Sequence, residues 1–205
     1  MTKKPDLRVI RTRKNINKAF LKLIQQKGFD SVTIQDIADE AIINRATFYL
    51  HYEDKFDLLE KMSNTIIEEL MNAINPAYHI EDKEVKIRKL QSTIKNVYEC
   101  VEKNHAFFKV MFGEHGVYNF RNDLEDMIRN KFSKNMTDLG VHSSDFEIPK
   151  DLIVHFICSA FVGVIQWWLK EDMKPSPQEM ALQLSKIVTL GPMRAAGIKV
   201  GKMFE

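Results

Sequence analysis

The chain is 205 residues long, 44% of them apolar and thirteen of them phenylalanine, which is enough apolar material for one compact unit or two small ones. Few Gly and Pro and few alternating β-branched runs exclude a β-rich fold, and helical periodicity nearly throughout predicts an all-α architecture of about nine helices. The net charge of +2 hides an asymmetry: residues 1–27 hold nine Lys or Arg against the single acid Asp6, a local +8, which leaves the remainder at −6.

The first predicted element is an N-terminal helix that gathers Ile16, Ala19, Phe20, Leu23 and Ile24 on one face. No apolar run follows the basic start, so it does not read as a secretion signal. Residues 31–55, SVTIQDIADEAIINRATFYLHYEDK, then read as a helix-turn-helix. Thr33 is placed to cap a first short helix, with Asp36 in the capping-box position. Ile34, Ile37, Ala38 and Ala41 share one face of it. Asn44 is placed to cap a second helix, anchored by Phe48 and Tyr52. Arg45, Ala46, Thr47, Tyr49 and Leu50 lie beside or opposite that anchor, open to a partner. Asp54 is placed to cap a third helix and puts Lys55 in its first turn. A cation there opposes the helix dipole, so Lys55 is expected to serve an outside anion such as a DNA phosphate. A basic arm beside such a motif suits phosphate binding with counterion release, although a charge run alone is more often a solvated face.

As a joint pattern, the stretch from about Arg11 to Leu59 resembles the DNA-binding domain of the tetracycline-repressor (TetR) family. The resemblance is carried by the N-terminal helix, Gly28-Phe29, Val32-Thr33-Ile34, Ile37-Ala38, Thr47-Phe48-Tyr49, His51-Tyr52, and Lys55 with Leu58-Leu59. One position departs from the family's pattern. Ile42 stands where the family commonly has glycine, at a turn that tends to need a left-handed backbone. Either the first short helix ends differently here, or the turn is strained.

Beyond the motif, a helix is expected from Asp54 to Ile74, ended by Asn75-Pro76. Further helices are expected over residues 83–103, 105–112 and 118–136, followed by a polar loop over 137–147. A helix from Pro149 to Asp172 is apolar on nearly every side and must be covered on more than one face, and a second subunit is the expected second cover. His155, Ser159 and Gln166 within it favour a buried helix over a membrane span. Ser176-Pro177-Gln178-Glu179 is a capping box that opens the last helix, and Gly191-Pro192 closes it.

The resemblance implies a DNA-binding domain over residues 1–54 and an effector-binding and dimerisation domain over 55–205. Arg45 is a candidate for bidentate pairing with a guanine edge, and Ala46 and Thr47 for contact with thymine methyls. Thr33, Tyr49, His51 and Lys55 look like the family's phosphate clamps, and Asn44 and Leu50 complete the candidate face; simple packing is an equal reading of His51. Tyr98, Phe107, Phe108, Met111, Phe112, Phe120, Met127, Phe132 and Phe156 are candidates to line an effector pocket, though at helical spacing such residues are core more often than pocket. Phe161, Val162, Ile165, Trp168, Leu184 and Ile187 are the expected dimer interface. Cys100 and Cys158 lack metal-ligand spacing and read as reduced thiols of a cytoplasmic protein. No catalytic, cofactor or metal motif stands out. The expectation is a homodimeric TetR-like regulator, a repressor released from a palindromic operator by a small-molecule effector. The alternative is a helix-turn-helix adaptor or coactivator that acts through a protein partner.

Overall fold

A computed structural model describes residues 6–74, 80–81, 84–114, 116–117, 119–138, 147–199 and 201. Ten helices occur among them: α1 (Leu7–Lys27), α2 (Ile34–Glu40), α3 (Arg45–Tyr49), α4 (Lys55–Ala73), α5 (Ile87–Lys103), α6 (His105–Met111), α7 (Phe120–Asp138), α8 (Lys150–Lys170), α9 (Pro177–Leu190) and α10 (Pro192–Ala195). The all-α expectation holds. Its exceptions are a minimal antiparallel pair, β1 (Ile80–Glu81) and β2 (Glu84–Val85), in register Ile80 with Val85, and the short α10. The helix expected from residue 83 therefore begins at Ile87, because Glu84 and Val85 are taken up by strand pairing that periodicity along one segment does not report. The stop at Asn75-Pro76, the helix start at Tyr118, most of the polar loop and the arm residues Lys3 and Lys4 lie outside the described residues.

Local chemistry sets the helix ends. The Asp6 carboxylate accepts from the Arg8 amide at 2.9 Å, and α1 stops at Gly28, whose φ of 78° suits glycine. The Asp54 carboxylate accepts from the Phe56 and Asp57 amides, each at 2.8 Å, and so caps α4. Ser176 and Glu179 form the expected capping box of α9, with Pro177 in its first turn.

The contacts divide the chain into two units, one of residues 1–68 with 104–122, the other of 69–103 with 123–205. This differs from a boundary at residue 54. The first half of α4 buries Leu58 and Met62, and α6 packs on α1, a return of the chain that local sequence does not announce. In the first unit Ile16, Phe20, Ile24, Ile37, Phe48 and Leu58 are fully buried. Phe107, Phe108, Phe112 and Phe120 pack ring against ring there, with the Phe107–Phe120 centroids 5.6 Å apart. In the second unit α5 packs on α9, and the Tyr98 ring meets Trp168 edge-on at 4.9 Å. The Trp168 indole donates to the Pro175 carbonyl at 2.6 Å. By length and composition α8 could cross a bilayer; it buries Val154, Cys158, Val162, Ile165, Trp168 and Leu169 within the chain.

Candidate nucleic-acid interface

Each cap of the helix-turn-helix uses a side chain singled out in the sequence. Thr33 Oγ1 accepts from the Asp36 amide at 3.2 Å and donates to Asp36 Oδ2 at 2.6 Å, while the Thr33 amide donates to the same carboxylate at 2.8 Å. The hydroxyl is thus engaged in the cap, a role expected of Thr33 from the sequence beside that of a phosphate clamp. The Lys27 ammonium at 2.7 Å, with the Thr33 hydroxyl and amide, holds the Asp36 carboxyl well below the usual carboxylate range. Asn44 Oδ1 accepts from the Ala46 amide at 2.9 Å and opens α3. Its oxygen too is spent on the helix.

The turn resolves the question raised by Ile42. Ala41 ends α2, the Ile42 amide donates to the Asp39 carbonyl at 3.1 Å, and the Ile43 amide to the Ala38 carbonyl at 2.9 Å. This is a Schellman termination with isoleucine where glycine is favoured. Ile42 takes a φ of 56° and is 91% exposed. The strained alternative is the observed one, and the helix pair keeps its turn.

The five residues of α3 then sort by face. Phe48 is fully buried, with Tyr52 beside it, and the Tyr52 hydroxyl donates to Asn17 Oδ1 at 3.2 Å, tying the motif to α1. Arg45, Ala46 and Tyr49 are exposed, Thr47 is half-buried, and Leu50 is 80% exposed. The Arg45 guanidinium donates to Tyr49 Oη at 3.0 Å and lies 5.6 Å from the ring centroid. This contact of residues four apart holds the arginine along the helix surface. His51 is half-buried against Tyr52; desolvation, and then the charge of Arg13, lower its pKa, so the imidazole is neutral near pH 7. Arg13 was not singled out in the sequence, because its nearness to His51 is tertiary.

Lys55 overturns its expectation. Its ammonium donates to the carbonyls of Phe29, Asp30 and Val32 at 3.0, 2.9 and 3.0 Å, and sits 4.8 Å from the Phe29 ring centroid. All three protons are used inside the protein. The loop carbonyls between α1 and α2 outweigh the unfavourable dipole of α4, so Lys55 is a clamp on that loop rather than a group aimed at an outside anion. The basic arm is likewise thinner than its count. Lys22 pairs with Glu40 at 2.6 Å and Lys27 with Asp36, which joins α1 to α2. Arg8, Arg11, Arg13, Lys14 and Lys18 remain exposed.

Comparison with known proteins accounts for this arrangement. Residues 16–62 match the family described as bacterial regulatory proteins, tetR family, and residues 88–190 match a transcriptional regulator C-terminal region, TetR_C_8. The chain belongs to the tetR family. It is a DNA-binding transcriptional regulator. Among relatives, it is 25% identical over 174 residues to the HTH-type transcriptional regulator YxbF of Bacillus subtilis, covering 85% of this chain but 44% of that one. The chain thus spans less than half of that relative. It is 24% identical over 185 residues to the Escherichia coli protein described as "Probable acrEF/envCD operon repressor", covering 82% and 81% of the two chains. The fold is shared with NalD, described as the secondary repressor of the MexAB-OprM multidrug efflux pump in Pseudomonas aeruginosa, at a TM-score of 0.64 and 16% identity over 91% of this chain and 98% of that one. It is also shared with the fatty acid degradation regulator FadR of Bacillus halodurans, at 0.62 and 15% over 95% and 99%.

The second unit of this tetR-family regulator holds a cavity of about 240 Å³. Leu90, Thr93, Ile94 and Val97 of α5 form one wall. Ile157, Cys158, Phe161 and Ile165 of α8 form another, and Ile128 and Phe132 of α7 close a third side. Of the nine aromatic and methionine candidates Phe132 lines it and the other eight do not. Phe108, Met111, Phe112 and Phe120 belong to the first unit, in or beside its aromatic cluster. Tyr98 is fully buried, and its hydroxyl has no partner among the described residues. Met127 and Phe156 are exposed, Phe156 by 63%. The other aromatic and methionine candidates mark core and surface, whereas the cavity wall is mostly aliphatic, with Phe132 and Phe161, and its helical spacing looks like any core.

The expected interface also shifts. Val162, Ile165, Trp168 and Leu184 are buried in their own chain, and Phe161 and Ile165 face the cavity. Leu152, Phe156, Ala160 and Trp167 are exposed on α8, and Ile187 and Leu190 on α9. Their spacings of four, four and seven on α8 and of three on α9 make an open apolar stripe on each helix. On a helix apolar all round, periodicity does not separate the inward face from the outward one.

Proposed function

We propose that the regulator binds a palindromic operator as a homodimer in the cytoplasm and represses transcription until a small molecule occupies its second unit. The observation that carries the reading is the sorting of α3: Phe48 buried, Tyr49 and Leu50 open, and Arg45 held along the exposed face by Tyr49. Such a helix suits the major groove, with Arg45 reading a guanine edge and Ala46, Thr47 and Leu50 making apolar contact with bases. Tyr49 and the exposed cations of α1 would fix register on the phosphates. His51, being neutral, would act there as a hydrogen-bonding group. The open stripes of α8 and α9 suit a two-fold partner, and a two-fold protein reads two half-sites related by the same symmetry. Repression is supported by the names of relatives described as operon or efflux-pump repressors. The cavity supplies a place for an effector, which can shift the operator-bound state only by its differential affinity for the two states.

Selection from a random duplex DNA library, followed by titration of the winner against salt, tests the reading. An enriched palindrome, with a slope of log affinity on log salt steeper than about −4, is expected for several phosphate contacts per dimer. Weak binding without an enriched sequence would refute it.

A further inference from the structure

Resting on the reading of the cavity as an effector site, we propose that its ligand is a neutral lipophilic molecule of roughly ten non-hydrogen atoms, with no charged group inside the protein. Size follows from volume. An apolar cavity of about 150 Å³ stays dry and takes up benzene, and this one is about 240 Å³. Charge follows from the lining. Of fourteen lining residues twelve are hydrocarbon, and the other two are Thr93 and Cys158. Thr93 already has an interaction within the chain. Burial pushes the Cys158 thiol up to about 11, so it stays protonated and supplies no anion. An ion entering such a wall loses its hydration and finds no replacement.

Two charged groups of α7 act on Cys158 from outside the lining, and they have opposite signs. Glu125 accepts from the Ser159 hydroxyl at 3.0 Å, and Arg129 pairs with Asp126 at 2.8 Å. The Arg129 Nε is buried without a partner among the described residues. It is a donor through which an anionic head could gain a hold, and a matched set of probes decides whether it does.

The experiment is calorimetric titration of the full chain with butan-1-ol, hexan-1-ol, octan-1-ol and decan-1-ol, and with octanoate and octylammonium. Affinity for the alcohols should rise by about fourfold per methylene and level off once the cavity is full. Octanoate and octylammonium should bind at least roughly thirtyfold more weakly than octan-1-ol. Ile157→Phe, which fills part of the space, should weaken octan-1-ol about tenfold with the helical circular dichroism unchanged. Phe161→Ala, which enlarges the cavity, should move the plateau to a longer chain. No saturable binding of the alcohols, no chain-length trend, or an ion that binds as tightly as octan-1-ol would overturn the proposal. The effector reading is tested separately by operator affinity with and without octan-1-ol. Binding that leaves operator affinity unchanged refutes that reading and supports the ligand class. Release of the operator with no chain-length trend does the reverse.

Discussion

Replacing Lys55 by Met separates a structural clamp from a phosphate ligand. The substitution keeps an unbranched stem over Phe29 and removes the ammonium from the carbonyls of Phe29, Asp30 and Val32, which it meets at 3.0, 2.9 and 3.0 Å; the Phe29 carbonyl keeps the Val32 amide at 3.2 Å. A hydrogen bond to a charged group contributes about 1.5–3 kcal/mol, and the contact with the Phe29 ring adds on the order of 0.5 kcal/mol. Part of this is recovered. The bond to the Asp30 carbonyl is exposed, so water replaces it, and those to Phe29 and Val32 are only part-buried. A net loss of about 2 kcal/mol follows, which lowers the thermal midpoint by roughly 4–8 °C for a chain of this size. Calorimetry reads that shift, and hydrogen exchange at residues 29–32 localises it. Operator binding should weaken through loosening of the loop before α2, while the salt dependence stays as in the unaltered chain. A phosphate ligand behaves in the opposite way: its removal lowers the salt slope by about 0.9 for each phosphate no longer neutralised and leaves the midpoint alone. That second pattern would refute the clamp.

Three further outcomes are expected. Arg45→Ala should relax specificity at one base position per half-site by about 1–3 kcal/mol, read by repeating the library selection; an unchanged sequence preference would show that the arginine reads no base. Ile42→Gly should stabilise the chain by up to about 1 kcal/mol, because glycine occupies a φ of 56° without steric cost and an exposed isoleucine gives up little burial; a lower denaturation midpoint would contradict this. His51 has a folded pKa below its ordinary 6.5, so the unfolded chain binds the proton more readily and stability is lost as pH falls below about 6.5. Relative to His51→Gln, the natural chain should lose stability between pH 7 and pH 5, and parallel pH profiles of the two would contradict the assignment.

Much of the DNA-binding unit was legible in the sequence because its signals are local. The cap at Thr33 with Asp36, the cap at Asn44, the buried Phe48 and the break of pattern at Ile42 each depend on residues within one or two turns. Helix order in the second unit was legible for the same reason, from periodicity and from the box at Ser176. What tertiary structure decided is where those local pieces meet. Lys55 in a first turn looks open to an anion until the loop at residues 29–32, more than twenty positions away, brings up three carbonyls. Lys22 and Lys27 count as free basic charge until α2 presents Glu40 and Asp36. The apolar circumference of α8 holds three faces at once, with Val162 and Trp168 in the core, Cys158 and Phe161 on a cavity, and Phe156 and Trp167 open. One hydrophobic alphabet serves all three, because transfer from water depends on area and not on which neighbour covers it. Only the packing of α5, α7 and α9 around that helix separates them.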